Sequence, residues 1–310
     1  HQSTYSLEWL LTHTSLYASR DPNSQIPDRE LWNKSNFTSN ATVSYPEVSF
    51  EEAINKSSAL YTQIYKFGFC FINNVPVSGP ETEKLCKKIG DYIQHTHYGG
   101  FWQFTTDPSM KDTAYSELEI PSHTDGTYWS HTPYLQLFHL LRHEGTGGGS
   151  TLVDGFKCAQ LLKKVKPESF RILSTMKFRF QSLGDVCLSR EREVIKVDSK
   201  TGEIVQIGFN NSDRAISFFD QSLDFNSQFN VYEALKDWHD IVHDEENILS
   251  FQLQPGKVLI FDNWRTLHAR VGRTTGLREM CGAYFDKDDF VSNLILSLNK
   301  DKEEQLFNSL

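Results

Sequence analysis

His123-Thr124-Asp125 sets an imidazole and a carboxylate two residues apart. On extended backbone, side chains at i and i+2 face the same way and can grip one metal ion. The triplet alone is weak evidence, because 11 histidines and the chain's aspartates give about 0.7 such matches by chance. Its surroundings strengthen it. An apolar run, Val258 to Phe261, leads through Asp262-Asn263-Trp264-Arg265 to His268, so a buried strand delivers a second imidazole to the interior. Two histidines and a carboxylate are the facial donor set of non-haem Fe(II) oxygenases, which leaves three positions open for a bidentate 2-oxo acid and O2.

Arg278 follows His268 across Gly272 and Gly276. That spacing predicts a turn returning a guanidinium beside the metal strand, where it would clamp the distal carboxylate of 2-oxoglutarate through two parallel hydrogen bonds. Thr151 comes directly after the Gly147–Gly149 turn and offers a hydroxyl to the same carboxylate. The bland alternatives are a structural ion pair for Arg278 and ordinary surface or core roles for His95, His97, His131, His139 and His143.

Aromatic residues crowd both sides of the triplet: Tyr98 to Trp102, Tyr115, and Tyr128-Trp129. Core packing accounts for any one ring in a chain that is 13% aromatic. Together, Tyr98, Trp102 and Tyr115 form a set that can face a quaternary ammonium through their ring quadrupoles.

These groups need a frame. Residues 1–48 are rich in Ser, Asn and Pro with little periodicity and read as an irregular arm, and 49–310 as the catalytic domain. Helical spacing predicts helices over Phe50–Lys66, Glu81–His95, Phe156–Thr175 (two) and Asn226–Glu246. Short apolar or alternating runs predict strands at Phe69–Val75, Tyr134–Arg142, Ser150–Asp154, Ile204–Phe209, Ile248–Leu253, Val258–Asp262 and Glu279–Phe285. A further pair lies within Lys177–Val197, with its turn near Leu188–Glu191. The fold class expected is mainly β with flanking helices, a double-sheet jelly roll.

With 310 residues, 38% of them hydrophobic, the chain can bury a full core. Its net charge of -9 without a basic stripe argues against nucleic acid. Five scattered cysteines without a CxxC pair imply a reducing, intracellular compartment. No apolar stretch approaches a membrane span of ~20 residues, so no membrane partner is expected.

The motifs go further. Tyr98-Gly99, Trp102, Phe104-Thr105-Thr106-Asp107, Asp112-Thr113-Ala114-Tyr115 and His123-Thr124-Asp125-Gly126-Thr127-Tyr128 form one block. His143-Glu144-Gly145-Thr146-Gly147-Gly148, Leu152 to Phe156, Asn210-Asn211-Ser212-Asp213-Arg214 and Asp262 to His268 continue it. The chain resembles, along nearly its whole length, the gamma-butyrobetaine and trimethyllysine dioxygenases of carnitine biosynthesis. The Trp-x-Phe-Thr-x-Asp, Asp-Thr-Ala-Tyr and His-Glu-Gly-Thr-Gly-Gly pieces look like the trimethyllysine branch.

The resemblance implies a cupin-like double-stranded β-helix of the 2-oxoglutarate oxygenase type, with Fe(II) on His123, Asp125 and His268 and 2-oxoglutarate on Arg278. It also implies ascorbate as reductant, O2 as co-substrate, and a small trimethylated amino acid facing Tyr98, Trp102 and Tyr115. Asn210 and Asn211 match a substrate-proximal loop, and Asp213 is the candidate counter-ion for the substrate's α-ammonium. The alternatives are butyrobetaine hydroxylation and a catalytically silent binder of quaternary ammonium ligands. The family implies a homodimer and a mitochondrial or cytoplasmic location. Gly126 and Ala269 depart from the family pattern, which has Thr and Gly there. Family members also carry a small N-terminal zinc domain, and His1 falls where its last ligand is expected, so that domain's other ligands would lie outside this chain.

Overall fold

The computed structural model describes residues 2–7, 10, 26–39, 42–105, 118–220 and 222–299. In chain order the first part carries β1 (Thr38–Ser39), β2 (Thr42–Val43), β3 (Glu47–Ser49), α1 (Phe50–Ile54), α2 (Ser58–Phe67), β4 (Phe69–Asn73), α3 (Gly79–Ile89) and β5 (Trp102–Thr105). The middle carries β6 (Ile120–His123), β7 (Leu135–Glu144), β8 (Gly149–Asp154), α4 (Gly155–Val165), α5 (Pro167–Thr175), β9 (Phe178–Leu183), β10 (Cys187–Arg192), β11 (Ile195–Val197) and β12 (Ile204–Ile207). The last part carries α6 (Phe225–Val242), β13 (Leu249–Phe251), β14 (Val258–Asp262), β15 (Thr266–Val271), β16 (Leu277–Phe285) and α7 (Lys287–Leu298).

Two sheets make the body. The larger runs β3-β4-β14-β7-β16-β5 and the smaller β13-β8-β15-β6. Among the described residues, the pairings in these two sheets are antiparallel except β3 with β4. Chain neighbours therefore often lie in different sheets, as expected of a double-stranded β-helix.

Strand alternation sorts the side chains. Cys70, Ile72, Leu135, Leu137, Val258, Ile260, Ala283 and Phe285 turn outward under α2, α3 and α7. Phe69, Phe71, Leu140, Leu259, Phe261 and Met280 turn inward and meet Leu152 and Leu249 of the smaller sheet. Between Glu279 and Met280 the β16–β7 register shifts, so that Glu279 faces Arg142 and Met280 faces Leu140. Leu141 is the extra residue of that bulge. A third core, built from α4, α5, α6 and β9 to β12, covers the outer face of the smaller sheet through Val153 and Leu267.

A buried ion pair ties this outer layer to the rest. Asp154 caps α4 through Phe156 N and Lys157 N, accepts from Trp32 N at 3.0 Å, and pairs with Arg265 at 2.7 Å with both side chains fully buried. Arg265 also donates to the carbonyls of Lys66 at 2.9 Å and of Glu30. The segment around Trp32 is thus fixed by a charge that cannot reach water.

Several sequence expectations are revised. The helix expected over Phe50–Lys66 is two. Ser49 and Glu52 cap the first reciprocally, Lys56 takes a left-handed φ of 51°, and Ser57 starts the second. The helix expected to reach His95 stops at Ile89. The turn placed near Leu188–Glu191 lies at Gly184–Val186, and those residues pair across β9 and β10. The strand carrying His268 and the helix after Asp286 were not expected; Asp286 caps the latter through Asp288 N.

Candidate active site

The metal face is made where β6 and β15 run side by side. His268 and His123 are direct register partners, with ring centroids 4.2 Å apart. One step past β6 the chain leaves the sheet. Thr124 turns to the opposite side, where its N–H donates to Phe209 O at 2.8 Å and its Oγ1 accepts from Phe209 N at 3.0 Å. Asp125 consequently swings back to the side of His123. His123 Nε2 lies 3.1 Å and His268 Nε2 3.9 Å from the same oxygen, Asp125 Oδ1. One donor atom from each residue falls within a 4.8 Å cluster.

Local contacts pre-orient each ligand. His123 Nδ1 donates to Pro121 O at 2.8 Å, which leaves Nε2 as the metal-facing nitrogen. His268 is wedged between Phe138 at 5.7 Å and Phe261 at 4.9 Å. Asn263 brackets the Asp125 backbone, accepting from its N–H at 2.8 Å and donating to its carbonyl at 3.0 Å. Gly126 has φ of +71°, and a Cβ there would sit 2.2 Å from the Trp129 ring. Its departure from the family pattern therefore lets the turn after Asp125 fold over Trp129.

The charges suit a cation. Burial, and then His123, push the His268 imidazole down to about 3, so it is neutral at pH 7. Burial opposes ionisation of Asp125, but the hydrogen bond from His123 and the nearby imidazoles outweigh it and hold the carboxyl well below the usual range. For His123, burial pulls down while Asp125 and the Pro121 carbonyl push up more, and the net direction is upward. A proton on His123 stands where a divalent ion would sit, so metal binding should release it. Two neutral imidazoles and one carboxylate fit a first-row divalent metal such as Fe(II).

Arg278 on β16 is buried, with 8% of its surface exposed. Arg270, two residues beyond His268 on β15, is likewise buried and donates to Leu118 O at 3.0 and 2.7 Å. Burial, then the charge of Arg270, lower the Arg278 guanidinium to about 10. Two neighbouring buried cations make a seat for a dianion. Thr151 does not join them. Leu152 pairs with His268 and Ser150 with Arg270, whereas Thr151 pairs with Ala269 and with exposed Ser250. Alternation therefore sends its side chain to the outer face of the smaller sheet, and the hydroxyl on the site's face of β8 belongs to Ser150.

The aromatic wall continues from the metal face. Tyr284 donates to Asp125 Oδ2 at 2.8 Å, and its ring lies 6.1 Å from Trp102 and 5.8 Å from Trp129. Trp129 meets Tyr98 edge-on at 6.2 Å. Trp102 lies flat against β16 because residue 282 is glycine; a Cβ there would meet the indole at 2.4 Å. Tyr98 and Trp102 thus reach the same wall through Tyr284 and Trp129. Tyr115 lies outside the described residues.

Asp213 is brought to the triplet, accepting from Thr127 Oγ1 at 2.6 Å. Asn210 caps its own turn, accepting from Ser212 N at 3.0 Å, and Asn211 is exposed. Sequence reasoning gave no role to Gln136, Asn263, Arg270 or Tyr284, and noted Trp129 only as part of the aromatic cluster beside the triplet. Period-two spacing from His268 and Arg278 would have pointed to Arg270 and Tyr284. Gln136, a polar residue within Leu135–Leu141, carried a similar signal.

Imidazole, imidazole and carboxylate on one face, backed by a buried guanidinium pair inside a double-stranded β-helix, define an iron- and 2-oxo-acid-dependent oxygenase. The chain belongs to the TauD/TfdA dioxygenase family: the model described as "Taurine catabolism dioxygenase TauD, TfdA family" matches residues 29–284. It is 46% identical to a trimethyllysine dioxygenase of Meyerozyma guilliermondii over 96% of this chain and 76% of that protein. It is 35% identical to the mitochondrial trimethyllysine dioxygenase of Mus musculus (94% and 69%). Its identity to the gamma-butyrobetaine dioxygenase of Homo sapiens is 31% (95% and 76%). A taurine dioxygenase structure from Burkholderia xenovorans superposes with a TM-score of 0.54 at 13% identity, over 78% of this chain and 89% of that one.

Proposed function

We propose that the protein hydroxylates N6,N6,N6-trimethyllysine at C3, the first step of carnitine biosynthesis, and that it works in mitochondria. The observation that carries the reading is the shared side chain between metal face and aromatic wall: Tyr284 holds Asp125 while its ring stands between Trp102 and Trp129. A trimethylammonium group on those faces would be attracted by their quadrupoles. Its distance along the lysine side chain then selects which methylene meets the metal.

Fe(II) with 2-oxoglutarate supplies O2 activation and C–H oxidation when bound, so that substrate, O2 and 2-oxoglutarate become hydroxylated product, succinate and CO2. His123, Asp125 and His268 would hold the metal on one face and leave the other open. Arg278, beside Arg270, would fix the distal carboxylate of the keto acid. Phe138, Phe261 and Trp102 line the inside of the barrel and keep water from it. Asp213, held by Thr127, would meet the α-ammonium, a group that trimethyllysine has and butyrobetaine lacks.

The test is to incubate the protein with Fe(II), ascorbate, 2-oxoglutarate and either trimethyllysine or gamma-butyrobetaine, following succinate and product mass. Trimethyllysine should turn over and His123→Ala should abolish it. Absence of succinate with either amine would sink the enzyme reading, and turnover of butyrobetaine alone would sink the substrate assignment. If Asp213→Ala leaves trimethyllysine turnover unchanged, Asp213 is not the counter-ion.

A further inference from the structure

The two oxygens of Asp125 live in different surroundings. Oδ1 faces both imidazoles. Oδ2 accepts two hydrogen bonds, from Gln136 Nε2 at 2.7 Å and from the Tyr284 hydroxyl at 2.8 Å. Gln136 on β7 and Tyr284 on β16 are direct register partners, so adjacent strands aim both donors at one atom.

We propose that Gln136 and Tyr284 are a positioning pair that keeps Asp125 a one-oxygen metal ligand. This rests on the metal reading above. A carboxylate is free to rotate about its last bond and, unrestrained, can chelate a cation through both oxygens. Doing so would fill a position that the facial donor set must leave open for a 2-oxo acid and O2. Two donors on Oδ2 occupy the lone pairs that a second metal bond would need, and they fix the plane of the carboxylate.

The chemistry of Gln136 fits this role better than a packing role. It is 1% exposed, and its Oε1 is buried without a hydrogen-bond partner. A residue kept only to fill space would more cheaply be leucine, since its strand neighbours Leu135, Leu137 and Phe138 are apolar and an unmatched buried acceptor is unfavourable. The amide cannot be reversed, because Oε1 would then face the Asp125 anion. Its N–H group is therefore committed to Oδ2 by electrostatics as well as by strand register.

The test is metal binding by chelator-stripped protein, with no substrate present. Co(II) is titrated into the parent, Gln136→Leu, Tyr284→Phe and the double variant, reading affinity by calorimetry and coordination by Co(II) visible absorption. Loss of an outer hydrogen bond to a metal ligand typically weakens binding roughly 10–100-fold. Each single variant should fall in that range and alter the absorption envelope. The double variant should be weaker than either single but by less than the product of the two losses, because both donors restrain one carboxylate. Circular dichroism checks folding, and near-isosteric Gln136→Met, which lacks the donor, replaces Gln136→Leu if that variant fails to fold. Folded variants with parental Co(II) affinity and spectrum would overturn the pair. A folded parent that binds no Co(II) would instead overturn the metal reading itself.

Discussion

Replacing Arg278 with Met separates what the guanidinium does for the fold from what it does for the keto acid. The side chain is 8% exposed, and its ionisation is lowered from 12.5 to about 10, by burial first and Arg270 second. At 1.36 kcal/mol per tenfold change, keeping it charged in the empty protein costs about 3 kcal/mol. For a base whose folded value is depressed, that cost is present throughout neutral pH, where the unfolded chain holds its proton freely. Met has a comparable unbranched stem and no charge to desolvate.

The ligand-free Arg278→Met protein should accordingly be more stable than the parent by up to about 3 kcal/mol in urea denaturation at pH 7. A dianionic keto acid should reverse the order. The parent should gain stability with 2-oxoglutarate and a divalent metal through mass action. Arg278→Met should gain from the metal alone and nothing further from the keto acid. A variant less stable than the parent by 1 kcal/mol or more without ligand, yet still stabilised by 2-oxoglutarate, would refute the idea that this buried cation serves to hold an anion.

Three further outcomes follow from the same geometry. Arg265→Met should destabilise by about 3–5 kcal/mol in urea melts, because it strands a fully buried Asp154 and removes a donor from the carbonyls of Lys66 and Glu30. His139 is fully buried: its Nε2 accepts from Gly256 N at 3.1 Å, and its Nδ1 donates to Thr82 Oγ1 at 2.7 Å. Burial depresses it from 6.5 to about 4. Its contribution is complete above pH 6.5 and lost as pH falls toward 4, about 3 kcal/mol at most, so His139→Gln should flatten the stability-versus-pH curve across that window. Trp102→Leu should raise the apparent KM for trimethyllysine by up to about 2 kcal/mol, roughly 30-fold, while leaving the concentration dependence on 2-oxoglutarate unchanged in steady-state assays.

The metal triad was legible because its three members depend on local geometry: i and i+2 on extended chain, and an apolar strand ahead of His268. The turn leading to Arg278 was legible through its glycines, Gly272 and Gly276, both at positive φ. Thr151 was misassigned because a strand's inward face is set by register, and the one-residue difference between Ser150 and Thr151 reverses the side chain. β15 was overlooked although Thr266 to Val271 alternates polar and apolar, with His268 and Arg270 facing the site and Leu267 and Ala269 the outer layer. Spacing hinted at Gln136 and Tyr284 but not at what they hold, and it gave no hint of Asn263: each acts on Asp125 from more than ten residues away in sequence, and only sheet topology brings them to one residue.

The same topology bears on the proposed site as a whole. β16 presents Arg278, Met280 and Tyr284 along its inner face, so the proposed keto-acid seat, the barrel core and the aromatic wall follow one another on a single strand. Arg278 and Tyr284 are six residues apart on one uninterrupted strand, so alternation alone turns both inward. The bulge at Leu141 acts on β7 instead: it brings His143, seven residues from Gln136, onto the same inward face, opposite Arg278.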